Sequence, residues 1–209
     1  GFNGLIIFTV LIVVLSFALF FKTAYKKNFF LTAVLMSFLS IALLSERTDI
    51  RPEIFGFLFL ALYIFILEKN KEKIGKSIWW LLPVQFLWVN MHVSFGFGLA
   101  LIFIFFLDRL WARRKIIYLA ARKRKIDKYI IVLMLLGLSL GAVSFLNPAG
   151  WRGAIYPLTI FNNYGYTIVE NQTPFFLEKL MDNPTIIFFK ITLAALILSF
   201  AVNFRKFRP

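Results

Sequence analysis

Four stretches of this chain carry side chains able to do chemistry. In the run Glu46-Arg47-Thr48-Asp49-Ile50-Arg51-Pro52-Glu53, the proline holds Arg51 extended, and its planar guanidinium then offers a two-pronged donor that matches a phosphate. The same run also reads as a capped helix start with solvated charges, since Pro52 suits a first helical position and Glu53 the helix's positive end. The second stretch is Trp88-Val89-Asn90-Met91-His92, which contains the single histidine. Either Asn90 caps a helix end while His92 bonds a neighbour, or both face a wet cavity. The third is the 38-residue stretch 147–184, with Pro148, Gly150, Trp151, Arg152, Tyr156, Pro157, Tyr164, Tyr166, Glu170 and Asn171. A connection of that length is usually functional or disordered; the aromatic content argues against disorder and suits a sugar or a lipid headgroup. Its opening, Asn147-Pro148-Ala149-Gly150, also reads as a plain helix stop. The fourth is Lys190, about six residues inside the last apolar segment, which either snorkels outward or balances an anionic ligand. With no cysteine and one histidine, disulfides, thiolate centres and Cys/His metal sites are excluded, and no metal ligand is assigned.

These residues must be positioned by a membrane bundle. The chain is 60% hydrophobic and 16% charged, with 27 phenylalanines and a mean hydropathy of +0.80, more apolar than a soluble domain of 209 residues can bury. A span needs about 20 mostly apolar residues, and such runs occur at 5–21, 29–45, 54–67, 129–146 and 185–204. Residues 77–107 form either one overlong helix or two short ones broken near Asn90, Met91 and His92. Lys69, Lys71, Lys73 and Lys76 precede this stretch and nine Lys or Arg in 109–128 follow it, so both flanks belong on the cytoplasmic side and two helices must cross. The expected fold class is therefore all-α, a polytopic integral membrane bundle of about seven transmembrane helices with the N-terminus outside and the C-terminus inside. That arrangement puts 19 of the 24 cations inside and leaves Arg47, Arg51, Arg152 and Lys179 outside. Between Lys76 and Met91 there is only about 24 Å of helix against a hydrocarbon core of about 30 Å, which sinks the Asn90–His92 turn below the outer surface.

Residues 1–209 read as a single transmembrane domain, and a start at Gly1 without a signal-like segment predicts a piece of a longer protein. Residues 109–128 mix Leu110, Trp111, Ile116, Ile117 and Tyr118 with dense positive charge, as a cytoplasmic helix lying in the headgroup layer does. Trp79 and Trp80 read as interface anchors. The formal charge of +14 comes from short cationic runs between apolar segments, which points to topology signals and membrane lipids as partners and not to nucleic acid.

Arg47 through Glu53, Leu82-Pro83 with Leu87-Trp88-Val89-Asn90-Met91-His92, Leu146-Asn147-Pro148-Ala149-Gly150 and Glu170-Asn171-Gln172-Thr173-Pro174 follow one another in a familiar order. This order resembles bacterial GT-C-type glycosyltransferases, multi-pass enzymes of the cell envelope that include protein mannosyltransferases and aminoarabinose transferases. The resemblance covers about residues 46 to 174 in short blocks. It implies a polyprenyl-phosphate sugar as donor, an acceptor glycan, lipid or protein outside the cytoplasm, and residence in the bacterial inner membrane. It also implies a catalytic carboxylate in a first outer loop. This chain matches the pattern from the second helix onward, so the general base is expected upstream of Gly1 and the fragment alone is expected to be inactive. Where the family often has Glu-Trp, this sequence has Glu170-Asn171.

If the resemblance holds, a carboxylate takes the acceptor's proton while cations stabilise charge on the departing phosphate. Arg51 and His92 are then the first candidates for the lipid phosphate, with Lys190 and Arg152 behind them. Asp49 and Glu53 are secondary acids, and Asn90, Tyr156 and Glu170 are sugar contacts. The resemblance leaves a divalent metal requirement open. A polymerase or ligase acting on lipid-linked oligosaccharides would also set Arg and His beside a long outer loop. A transporter would show internal repeats or paired broken helices, of which only the Asn90–His92 break is present. A structural membrane subunit is the remaining alternative.

Overall fold

The computed structural model describes residues 1–25, 30–44, 51–123, 127–160 and 172–203, and all regular structure among them is helical. In chain order the helices are α1 (Phe2–Ala24), α2 (Phe30–Leu44), α3 (Ile54–Asn70), α4 (Leu81–Met91), α5 (Gly96–Lys123), α6 (Lys128–Val143), α7 (Trp151–Thr159), α8 (Pro174–Leu177) and α9 (Pro184–Asn203). Short 3-10 segments, Lys76–Trp80 and Val93–Phe95, lead into α4 and α5. Among the described residues three segments are long and apolar enough to cross a membrane: Phe2–Ala24, Val93–Ala112 and Pro184–Val202. Phe30–Leu44 and Lys128–Val143 are shorter apolar helices. Large apolar side chains cover the outsides of these helices, with Leu138 71% and Val202 79% exposed. Soluble monomers rarely expose contiguous apolar surface beyond a few hundred Å², whereas lipid chains solvate it without penalty.

The chain divides into two compact units, Gly1–Thr23 with Ile50–Ile160, and Ala24–Asp49 with Phe161–Pro209. In the first, α3, α4, α5 and α6 enclose a core in which Tyr63, Leu67, Ile78, Leu81, Trp88, Leu133, Leu136 and Leu140 are fully buried. A polar chain runs through it: the Tyr63 hydroxyl donates to Gln85 Oε1 at 2.6 Å, Gln85 Nε2 to Ser144 Oγ at 2.9 Å, and Ser144 Oγ to the Leu140 carbonyl at 2.9 Å. These bonds tie α3, α4 and the end of α6 together where the apolar surroundings offer no alternative partner. Close approach of α5 requires Gly98, because a Cβ there would lie 2.9 Å from Tyr63 Cζ and 3.0 Å from Gln85 Oε1.

The 77–107 stretch is broken, and the break falls at His92, whose backbone is extended at φ −156°, ψ 143°. Beyond it the structure departs from the expected separate headgroup-layer helix, since α5 runs without interruption through 28 residues to Lys123. At 1.5 Å per residue that is about 42 Å, well past a hydrocarbon core of about 30 Å. The physical reason is local: after Gly98 the segment holds no glycine or proline, and its Leu, Ala, Arg and Lys are strong helix formers. Asp127 then caps α6, accepting from the Tyr129 amide at 2.9 Å, and pairs with Arg109 Nε of α5 at 3.0 Å.

The 147–184 stretch is also more regular than a loop, since it contains α7 and α8. In the second unit α2 packs on α9, and Thr173 caps α8 by accepting from the Phe176 amide at 3.2 Å. Phe175 meets Phe189 edge-on with centroids 5.9 Å apart.

Candidate functional site

The turn between α4 and α5 borders an open cavity of about 390 Å³ lined by Val89, Asn90, Met91, His92, Val93, Phe95, Ala149, Arg152, Gly153 and Tyr156. Four of the expected site residues thus share one pocket although about 60 positions separate the two pairs: Asn90 and His92 from the turn, Arg152 and Tyr156 from α7. The scaffold is built from local rules. Asn147 spends its whole amide on the turn that ends α6 and starts α7: Nδ2 donates to the Ser144 and Gly150 carbonyls at 2.8 and 2.9 Å, and Oδ1 accepts from the Ala149 amide at 2.9 Å. Gly150 adopts φ +56°, a left-handed conformation that glycine enters without a Cβ clash. Gly153 leaves room for the Asn147 side chain, and Gly96 for Pro157, so α7 settles against the start of α5 and brings Arg152 and Tyr156 to the turn. Asn147-Pro148-Ala149-Gly150 acts here as the helix stop, and supplies the pocket with Ala149.

Within the turn the two polar residues exchange the roles expected of them. Asn90 does not cap through an amide bond; its Nδ2 donates to the Phe86 carbonyl at 2.8 Å and to the Leu146 carbonyl at 2.9 Å, stapling the end of α4 to the segment after α6. Both of its donor hydrogens are used, which leaves Oδ1 for a ligand. The cap is His92, whose Nδ1 accepts from the Ser94 amide at 3.2 Å and lies 2.7 Å from Ser94 Oγ. Ser94 Oγ also accepts from Trp88 Nε1 at 3.0 Å. Burial pushes the imidazole pKa below its ordinary value of 6.5, opposed by the negative charge of Glu53. Ser94 was not singled out from sequence and Trp88 was quoted there without a role; the signal available was a serine two residues after a histidine at a helix break, a spacing that suits a side-chain turn.

Arg152 is exposed, with its guanidinium 5.7 Å from the centre of the Trp151 ring. Arg51 is not among the residues lining the pocket; it stands half-buried before α3, and its carbonyl accepts the Ile54 amide at 3.3 Å. Glu53 occupies the N-cap position of α3 but makes no side-chain cap bond, because the Ile54, Phe55 and Gly56 amides already bond to the backbone carbonyls of Arg51, Pro52 and Glu53. Its carboxylate contributes to the field at His92. Lys190 belongs to the second unit, where its ammonium is paired with Glu178. Asp49 and Glu170 lie outside the described residues. Among the described residues no three metal-ligating side chains come together.

No family model, curated protein or solved structure matches this chain. Its class is defined by its own fold and surface: among the described residues, helices throughout, three of them apolar and of membrane length, and a pocket with four polar side chains at the break before one of them.

Proposed function

We propose that the protein is a membrane glycosyltransferase that takes a sugar from a polyprenyl-phosphate donor on the extracytoplasmic face of a bacterial inner membrane, and that the pocket between α4, α5 and α7 receives the donor's phosphate. The observation that carries this reading is the convergence of Asn90, His92, Arg152 and Tyr156 on one cavity. Arg152 supplies the cation, His92 and Tyr156 supply neutral hydrogen-bond partners, and Asn90 Oδ1 is an acceptor for a sugar hydroxyl. Val89, Val93 and Phe95 give the same cavity an apolar wall for the lipid. The charge of Glu53 acts on His92, in keeping with a role as a secondary acid near the reacting group. The seven-span arrangement with the pocket facing outward is part of this proposal.

The test is binding of farnesyl phosphoryl-mannose, a phosphodiester, to the chain in lipid nanodiscs. A charge-assisted bond to phosphate contributes about 1.5–3 kcal/mol, so Arg152→Ala is expected to weaken binding by about 10- to 150-fold, with Arg152→Lys recovering only part of it. Parental affinity in both Arg152→Ala and His92→Ala removes the phosphate from this pocket.

A further inference from the structure

The proton on His92 is fixed by its neighbours. An imidazole Nδ1 that faces a backbone N–H has to present its lone pair, and the Ser94 amide points at Nδ1 from 3.2 Å. The Ser94 hydroxyl, 2.7 Å from the same nitrogen, has its own direction set from outside the turn: the Trp88 indole N–H, which can only donate, lies 3.0 Å from Ser94 Oγ and occupies one of its lone pairs. The hydroxyl hydrogen is then available for Nδ1. Little room is left for another arrangement, since a Cβ on Gly56 of α3 would lie 2.7 Å from Ser94 Oγ. A proton on Nδ1 would oppose the amide and displace the hydroxyl at once.

We infer that Ser94 is a positioning residue that holds His92 as a neutral imidazole protonated on Nε2, so that the pocket offers its ligand an uncharged N–H donor beside the Arg152 cation. This revises the expectation that His92 meets a phosphate as a cation. The charged and titratable groups around the ring are Glu53 at the start of α3 and, on α7, Arg152 and Tyr156 across the cavity; Arg51 precedes Glu53 in the same segment. Glu53 favours the imidazolium, and burial opposes it more strongly. The assignment of the proton stands on the hydrogen-bond geometry alone; only the identity of the ligand rests on the proposed function.

Because the chain has one histidine, ¹⁵N-histidine labelling of the protein in nanodiscs reports on His92 without assignment. The parental protein is expected to show a bare Nδ1 and a protonated Nε2, and to titrate below the ordinary histidine pKa of about 6.5. Ser94→Ala removes the hydroxyl donated to Nδ1 and should raise that midpoint by at least about half a unit, while Ser94→Thr, which keeps the hydroxyl, should restore it. Farnesyl phosphoryl-mannose carries no group that titrates near neutrality, so its affinity is expected to stay level from about pH 6.5 to 8.5; a cationic His92 would make it fall as pH rises through the imidazole pKa. A proton on Nδ1 in the parental protein overturns the inference, as does a midpoint unchanged by Ser94→Ala. If Ser94→Ala does not fold, the parental tautomer decides by itself. Absence of any binding, with Nε2 protonated as expected, refutes the proposed ligand and leaves the assignment of the proton intact.

Discussion

Replacing Gln85 with leucine cuts the middle of the buried polar chain at nearly constant volume, so hydrogen bonds rather than a cavity carry the effect. Ser144 is not orphaned by the change, because its hydroxyl still donates to the Leu140 carbonyl at 2.9 Å. Tyr63 is. Its hydroxyl gives up the 2.6 Å bond to Gln85 Oε1 inside a fully buried site. An orphaned buried hydroxyl costs about 1–3 kcal/mol in soluble proteins, while side-chain couplings between membrane helices average about 0.6 and reach about 1.7 kcal/mol. The expected loss for Gln85→Leu is therefore about 1–2 kcal/mol. Tyr63→Phe alone orphans Gln85 Oε1 in turn, but the double variant Tyr63→Phe/Gln85→Leu leaves neither group waiting for a partner. Its cost should fall short of the sum of the two single variants by about 1 kcal/mol. Reversible unfolding in mixed micelles, followed by circular dichroism as the denaturing detergent fraction rises, measures all four corners of the cycle. The reasoning is refuted if Gln85→Leu is as stable as the parent, or if the two substitutions add to within about 0.3 kcal/mol.

Gly98→Ala is expected to destabilise the same core by about 1–3 kcal/mol, because the new methyl would meet Tyr63 Cζ at 2.9 Å and Gln85 Oε1 at 3.0 Å; unfolding at the parental detergent fraction would contradict that close approach. For the membrane orientation, the cysteine-free chain allows Lys73→Cys and His92→Cys to be probed singly with an impermeant thiol reagent in intact cells. Labelling at position 92 and protection at 73 are expected; the reverse pattern eliminates the outward-facing pocket.

The helices were legible because their causes are local. Apolar length marks 5–21 and 185–204; α1 exceeds the first by three residues at each end and α9 is offset from the second by one. The break in 77–107 was expected from the cations on both flanks, and the extended backbone at His92 is where the helix is interrupted. Separate status for the basic 109–128 segment was read from composition, which reports a change of surroundings and not a change of backbone. Helix propensity continues through that change, and so does α5.

The candidate site divides along the same line. Residue types alone nominated Asn90, His92, Arg152 and Tyr156, because such groups are expensive in an apolar chain and must be satisfied or used. What each can offer a ligand depended on partners distant in sequence or hidden by the turn: Leu146 takes the Asn90 amide, Ser94 fixes the His92 proton under the control of Trp88, and Glu178 takes the charge of Lys190. In sequence Arg51 stood ahead of Arg152 as a phosphate ligand, yet Arg152 lines the pocket and Arg51 does not. The sequence by itself determined that the chain is helical and suited to a membrane, because hydrophobic length and helix propensity act within a few turns. Only the tertiary structure decided which polar groups keep a free donor or acceptor, because that is settled by packing between helices, where each hydrogen bond made to a neighbour is one withdrawn from a ligand.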